Sequence, residues 1–208
     1  LNLTVKGQEL PMHEPRLKHL LGLGYAVAPV GADHEMNVHD TEYVGDGPAL
    51  QRVNTALESK VGPVSNTVIN EDKLQIFFHE LNWKHFQDCA VSCHFYPYSY
   101  HHMAEALSGV TGIEYVIQDI LEVGQRAQTL SRLFNLREGF TAEDDRLPKR
   151  VMQAFTEGPL AGVEIKPETF EWAKKRFYEM MFWDRDTGIP NRVSLQKLQL
   201  IGLLDGII

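Results

Sequence analysis

The sequence predicts a mostly α, irregular multihelical domain with at most a short β hairpin near its N-terminus. Three observations lead there. Several stretches carry apolar residues three and four apart, the period of one helix face. No strand–helix–strand alternation, internal repeat or low-complexity tract appears. With 208 residues, 43% of them apolar, the chain is also long enough to bury a sizeable core.

The elements follow in order. Leu3 and Val5, then the turn Lys6-Gly7, predict one short hairpin before Pro11 and Pro15 break the chain. Arg16 to Val27 reads as a helix with Leu17, Leu20, Leu21, Leu23 and Ala26 on its apolar positions. Gly22 and Gly24 within it point to close approach of another backbone or a ligand. Pro29-Val30-Gly31 ends it, and a polar loop follows. Gly45 to Pro48 leads into a second helix, Ala49 to Val61. Asn70 caps a third, from Glu71, whose Leu74, Phe77, Phe78 and Leu81 share a face. Continued, that helix delivers Asp88 to its end. Tyr96-Pro97-Tyr98 interrupts before a short helix from Ser99 to Ser108. Thr111 and Glu114 form a capping box ahead of the longest periodic run, with Ile113, Val116, Ile117, Ile120, Ala127, Leu130 and Phe134 on one face. Phe140 to Lys149 is a charged loop. Pro167 opens the last main helix, with Phe170, Ala173, Phe177 and Met180 inside. Ser194 to Leu200 makes a final short helix.

Composition excludes several classes of function. A net charge of −8 with no basic run argues against a general nucleic-acid binder. No apolar stretch approaches the length of a membrane span. Two cysteines make no disulfide framework, which suggests a reducing, cytoplasmic setting. The start at Leu1, without Met, suggests a piece of a longer protein.

Two stretches are dense in chemistry. Asp33 to Asp40 holds two histidines and three carboxylates, suited to acid–base work or metal ligation as well as to a solvated loop. Its His39-Asp40 pair is the dyad of HD-type metal phosphohydrolases, a rival reading built on His34, His39 and Asp40. His85 to His94 holds both cysteines, Cys89 and Cys93, with Asp88 beside the first. Three readings of it stay open: a zinc site from His85, Cys89, Cys93 and His94, one thiolate lent to a cluster, or two small buried side chains. On an unbroken helix, His85, Cys89 and Cys93 would share a face. His101 and His102 point to different helix faces and read as surface residues. No phosphate-binding glycine loop and no nucleophile elbow is present.

Four stretches in order resemble the C-terminal third of the tungsten-dependent aldehyde ferredoxin oxidoreductases. They are Val5-Lys6-Gly7 to Glu14-Pro15-Arg16, Leu23-Gly24-Tyr25-Ala26 to Gly31-Ala32-Asp33-His34, Leu133-Phe134-Asn135 to Asp145-Arg146-Leu147-Pro148, and Trp183-Asp184 to Leu200. The resemblance implies one C-terminal helical domain over residues 1–208 of an enzyme that oxidises aldehydes to carboxylic acids. Such an enzyme carries a tungsten bis-pyranopterin and a 4Fe–4S cluster and passes electrons to ferredoxin. It implies that His34 is the catalytic proton donor and acceptor, Asp88 the pterin-binding carboxylate and Cys93 the fourth cluster ligand, leaving Cys89 an ordinary helix residue. The family motif Asp-x-x-Gly-Leu-Cys reads here Asp88-Cys89-Ala90-Val91-Ser92-Cys93, with Val91 in the glycine's place. The partners implied are the N-terminal and middle domains of the parent enzyme, which supply the pterin-embracing sheets and the other cluster cysteines. Alone, the chain is expected to be catalytically incomplete and to hold neither tungsten nor cluster. A non-catalytic interaction module with the same fold is the remaining rival. Apolar faces for partner domains are expected around Leu20 to Ala28 and around Val91 to Phe95.

Overall fold

The computed structural model describes residues 2–203. A two-stranded antiparallel hairpin opens the chain, β1 (Thr4–Val5) and β2 (Gln8–Glu9), as the sequence predicts. Lys6 and Gly7 both adopt positive φ, the backbone that a tight hairpin turn demands. Among the described residues seven α-helices follow: α1 (His19–Val27), α2 (Pro48–Val53), α3 (Glu71–Cys89), α4 (Tyr100–Thr111), α5 (Ile117–Arg137), α6 (Pro167–Met180) and α7 (Arg192–Lys197). The fold is mostly α.

α1 is the centre of the molecule. All nine of its residues are buried, so the apolar face expected at Leu20 to Ala28 is core and not a docking surface. The close approach foretold by its glycines is intramolecular. A side chain on Gly22 would press on Pro15, Leu147 and Ile165, and one on Gly24 would overlap Asn37. The helix starts three residues later than Arg16. Arg16 instead turns to pair with Glu14 at 2.8 Å and to donate to the Gln153 carbonyl at 3.0 Å.

α3 and α6 flank the same core, with Phe77 edge-on to Phe177 at 5.2 Å. A second cluster joins α3 and α4 to the start of α5 through Trp83, Phe86, Tyr100, Ile117 and Ile120. Each fully buried side chain of this size contributes roughly 1.5–3 kcal/mol. Buried charge ties the parts together. Asp145 meets Lys6 of the hairpin turn at 2.6 Å and Arg132 of α5 at 2.7 Å, and Tyr178 of α6 donates to the same carboxylate.

Other helix boundaries also depart from the sequence reading. α2 stops at Val53 because the Asn54 side chain grips Val61, donating to its carbonyl at 3.0 Å and accepting from its N–H at 2.9 Å. Thr111 ends α4 instead of opening α5, and Gly112 at φ 72° closes that helix. The Thr111–Glu114 capping box therefore does not form, and Asp119 caps α5 by accepting from the Val116 N–H at 2.8 Å. α7 begins at Arg192, capped by Asn191 on the Ser194 N–H at 2.8 Å. The inner face of α5 is also corrected. Ile117 and Ile120 are buried, but Ile113, Val116, Leu130 and Phe134 are exposed. The buried side carries Gly124, Gln125, Gln128, Thr129 and Arg132. Gly124 lets the Asn82 carbonyl of α3 lie against the α5 backbone, and Gln128 donates to the Asn82 side chain at 2.6 Å.

Candidate functional site

The two chemistry-rich stretches meet at one cavity of about 300 Å³. His34, Glu35 and His39 come from the loop after α1, and His94 and Tyr96 from the chain leaving α3. His13 reaches in from the loop after the hairpin, and Lys84 from α3 itself.

α3 ends at Cys89, so Cys93 is not on its face with His85. Val91 takes φ 53° just beyond the helix, and the Ser92 N–H returns to the Gln87 carbonyl at 2.9 Å. This is the left-handed helix ending that glycine usually supplies. The chain keeps the glycine-type backbone with valine in it. The Val91 side chain is 94% exposed.

Cys89 and Cys93 are both exposed, which overturns the reading of two buried side chains. Partial burial and the Asp88 carboxylate push the Cys89 thiol up. His85 is buried, and burial lowers it to about 4. Among the described residues no three His, Cys, Asp or Glu side chains are grouped to hold a metal ion, which leaves the zinc reading without support. His101 and His102 are exposed, and His102 accepts from the Ser99 N–H at 3.3 Å at the start of α4.

Asp88 and the His34 loop are stitched together by His94. Its Nε2 lies 2.9 Å from Asp88 Oδ1, at ion-pair distance though off the axis of a good hydrogen bond. Its Nδ1 lies 3.2 Å from the Glu35 carbonyl, which also accepts from Lys84 at 3.0 Å. The Asp88 contact raises His94 against partial burial. Burial works against charge on Asp88, but His94, His85 and Lys84 together hold its carboxyl below the ordinary range.

His34 sits at the other end of this chain of contacts, with Nε2 3.1 Å from Glu35 Oε1. His39 is held differently. Its Nδ1 faces the Lys18 ammonium at 2.9 Å and its Nε2 the His34 carbonyl at 3.1 Å, so its proton sits on Nε2. Burial and Lys18 lower it to about 4. Asp40 is fully buried. It accepts the Leu20 and Leu21 N–H groups at 3.0 Å each, at the start of α1, and pairs with Lys73. The His39-Asp40 dyad is thus a structural fitting with its acceptor sites filled, which removes the geometric basis of the metal phosphohydrolase reading.

The sequence brought His34 and Asp88 forward and missed their connectors. Lys84 is one of many lysines, and His13 has no partner at helical or strand spacing. His94 was in view only as a zinc candidate. Its spacing six residues after Asp88, beyond the end of a helix, carries no pattern that links it to Glu35.

A helical domain bearing this histidine loop and Asp–Cys turn defines a class: the chain belongs to the aldehyde ferredoxin oxidoreductase family. A family model described as "Aldehyde ferredoxin oxidoreductase, domains 2 & 3" matches residues 1–200. The tungsten-containing aldehyde ferredoxin oxidoreductase of Pyrococcus furiosus is 28% identical over 99% of this chain and 31% of that protein. The protein of the same description from Thermococcus kodakarensis is 27% identical over 98% of this chain and 31% of its own length. The chain therefore spans about a third of the curated relatives it matches. Among solved structures, the active site complex BamBC of benzoyl coenzyme A reductase, in complex with 1,5-dienoyl-CoA, shares the fold. Its TM-score is 0.58 at 18% identity, over 94% of this chain and 31% of that one.

Proposed function

We propose that this chain is the C-terminal domain of a tungsten pyranopterin/4Fe–4S oxidoreductase that oxidises aldehydes to carboxylic acids and passes the electrons to ferredoxin. The observation that carries the reading is the stitching of the His34 loop to the Asp88–Cys93 turn through His94 and Lys84. It supports the reading by joining the loop of His34, the proposed proton-handling group, to the turn of Asp88 and Cys93, the proposed cofactor-holding groups.

The residues fit the groups they are proposed to hold. The Asp88 side chain is 47% exposed with His94 at one oxygen only, so it can accept from a pterin N–H. The Cys93 thiol is exposed and can lend its thiolate to a cluster. Val91 and Phe95 beside it are exposed, as expected for a face that the N-terminal and middle domains of the parent enzyme cover. When bound, the tungsten pterin and the cluster supply the two-electron oxidation and its onward electron path. His34 takes and returns protons at its ring nitrogen, with Glu35 as the carboxylate that steadies the charged ring. His39, kept neutral, holds the His34 carbonyl and hence the loop.

The test is His34→Ala in the parent-length protein, with tungsten and iron content measured beside aldehyde-dependent reduction of a one-electron dye. Metal content is expected to stay and turnover to fall about 10²- to 10⁴-fold. An unaltered protein without tungsten, or undiminished turnover in the variant, overturns the reading.

A further inference from the structure

The outer wall of the histidine cavity is His13, a side chain with no role so far. Its backbone is fixed, since the Tyr25 hydroxyl donates to the His13 carbonyl at 3.3 Å. Its ring packs on His34 with centroids 4.6 Å apart and meets His39 edge-on at 4.8 Å. His13 also lines a surface groove of about 780 Å³, bordered by Leu3, Leu10, Glu14 and Val151. Of the residues around the two spaces, His13 is the one they share.

An imidazole in that wall can take a proton from one side and release it to the other, because it exchanges protons near neutral pH. His39 cannot serve, since Lys18 and the His34 carbonyl occupy both its nitrogens. Four charged or titratable groups face His13: Lys18, His34, Glu35 and His39. Burial, then Lys18 and a charged His34, push His13 below its ordinary value, and Glu35 pulls the other way. A proton on His34 thus disfavours one on His13.

We propose that His13 is a relay residue that passes protons between His34 and the groove through intervening water. The inference rests on the reading of His34 as the proton-handling group. Oxidation of an aldehyde, RCHO + H₂O → RCOOH + 2e⁻ + 2H⁺, leaves two protons to clear while the electrons go to the ferredoxin-class acceptor. Each proton moves from the His34 ring to neutral His13 and from there to water in the groove, and both rings return to their starting state.

The first test needs only the 208-residue chain. Followed by NMR, the His13 titration midpoint is expected to rise in His34→Gln and in Lys18→Met, and to fall in Glu35→Gln. A midpoint indifferent to His34→Gln overturns the relay. In the parent-length enzyme, His13→Phe is expected to lower kcat about ten-fold with KM unchanged, and added imidazole to restore part of the loss. Full kcat in His13→Phe overturns the relay and leaves the His34 reading standing. Absence of aldehyde oxidation in the unaltered enzyme overturns the His34 reading itself, and the relay in catalysis with it, while the NMR coupling is judged separately.

Discussion

The His94 imidazole faces Asp88 Oδ1 at 2.9 Å and turns its other nitrogen to the Glu35 carbonyl, so one side chain joins the end of α3 to the loop bearing His34. Asp88 is held below the ordinary carboxylate range chiefly by that contact working against burial. In His94→Ala the Asp88 titration midpoint is expected to rise, read by carbon-detected NMR of the carboxylate. The sign matters for stability too. A depressed carboxylate stabilises the fold above its unfolded pKa, and that contribution is lost as pH falls through the folded value. His94→Ala should therefore flatten the loss of stability in the acid range. An unmoved Asp88 midpoint would show that the ion pair has no energetic content.

Val91 makes a second prediction. A non-glycine residue in the left-handed region costs roughly 1–2 kcal/mol, and a β-branched one gains nothing from its exposed side chain here. Val91→Gly is expected to stabilise the chain by about 1 kcal/mol, after the greater chain entropy of glycine in the unfolded state is subtracted. Urea unfolding should show a higher midpoint at unchanged slope. A lower midpoint would mean that the turn is not left-handed at 91.

Acid should unfold the chain through its buried histidines. Burial lowers His19 and His85 to about 4, and neither faces a carboxylate strong enough to reverse this. The unfolded state takes up their protons near pH 6.5, so their contribution is complete above that value and is lost as pH falls toward 4. The loss is about 3 kcal/mol per histidine at the low end. Equilibrium unfolding between pH 7 and 4 checks this, and His85→Gln should lessen the slope where the glutamine is accommodated. Stability that is flat across that window would contradict the burial of both rings.

Much of the fold was legible because local signals and burial agree. Asn70 caps α3 as read, its side chain accepting from the Lys73 N–H at 2.9 Å, and Pro167 opens α6. Lys6-Gly7 turns the hairpin. The reading failed where apolar residues face outward. α5 packs on α3 through Gly124 and Gln128 against Asn82 and turns Arg132 to Asp145 and the Gly188 carbonyl, while Leu130 and Phe134 stay exposed. Periodicity assigns the apolar side to the core and had no means of seeing Asn82 or Asp145 opposite. The site was half legible for the same reason. His34 and Asp88 stand in recognisable motifs, but what joins them is one ring reaching a backbone carbonyl 59 residues away.

Cys93, and not Cys89, is proposed to lend the cluster ligand from this turn. The most direct test is iron content and the electron paramagnetic resonance of the reduced parent-length protein in Cys93→Ala and Cys89→Ala. Cys93→Ala is expected to lose or convert the 4Fe–4S signal while Cys89→Ala keeps it. An intact cluster in Cys93→Ala, or its loss only in Cys89→Ala, would exclude Cys93 as the ligand.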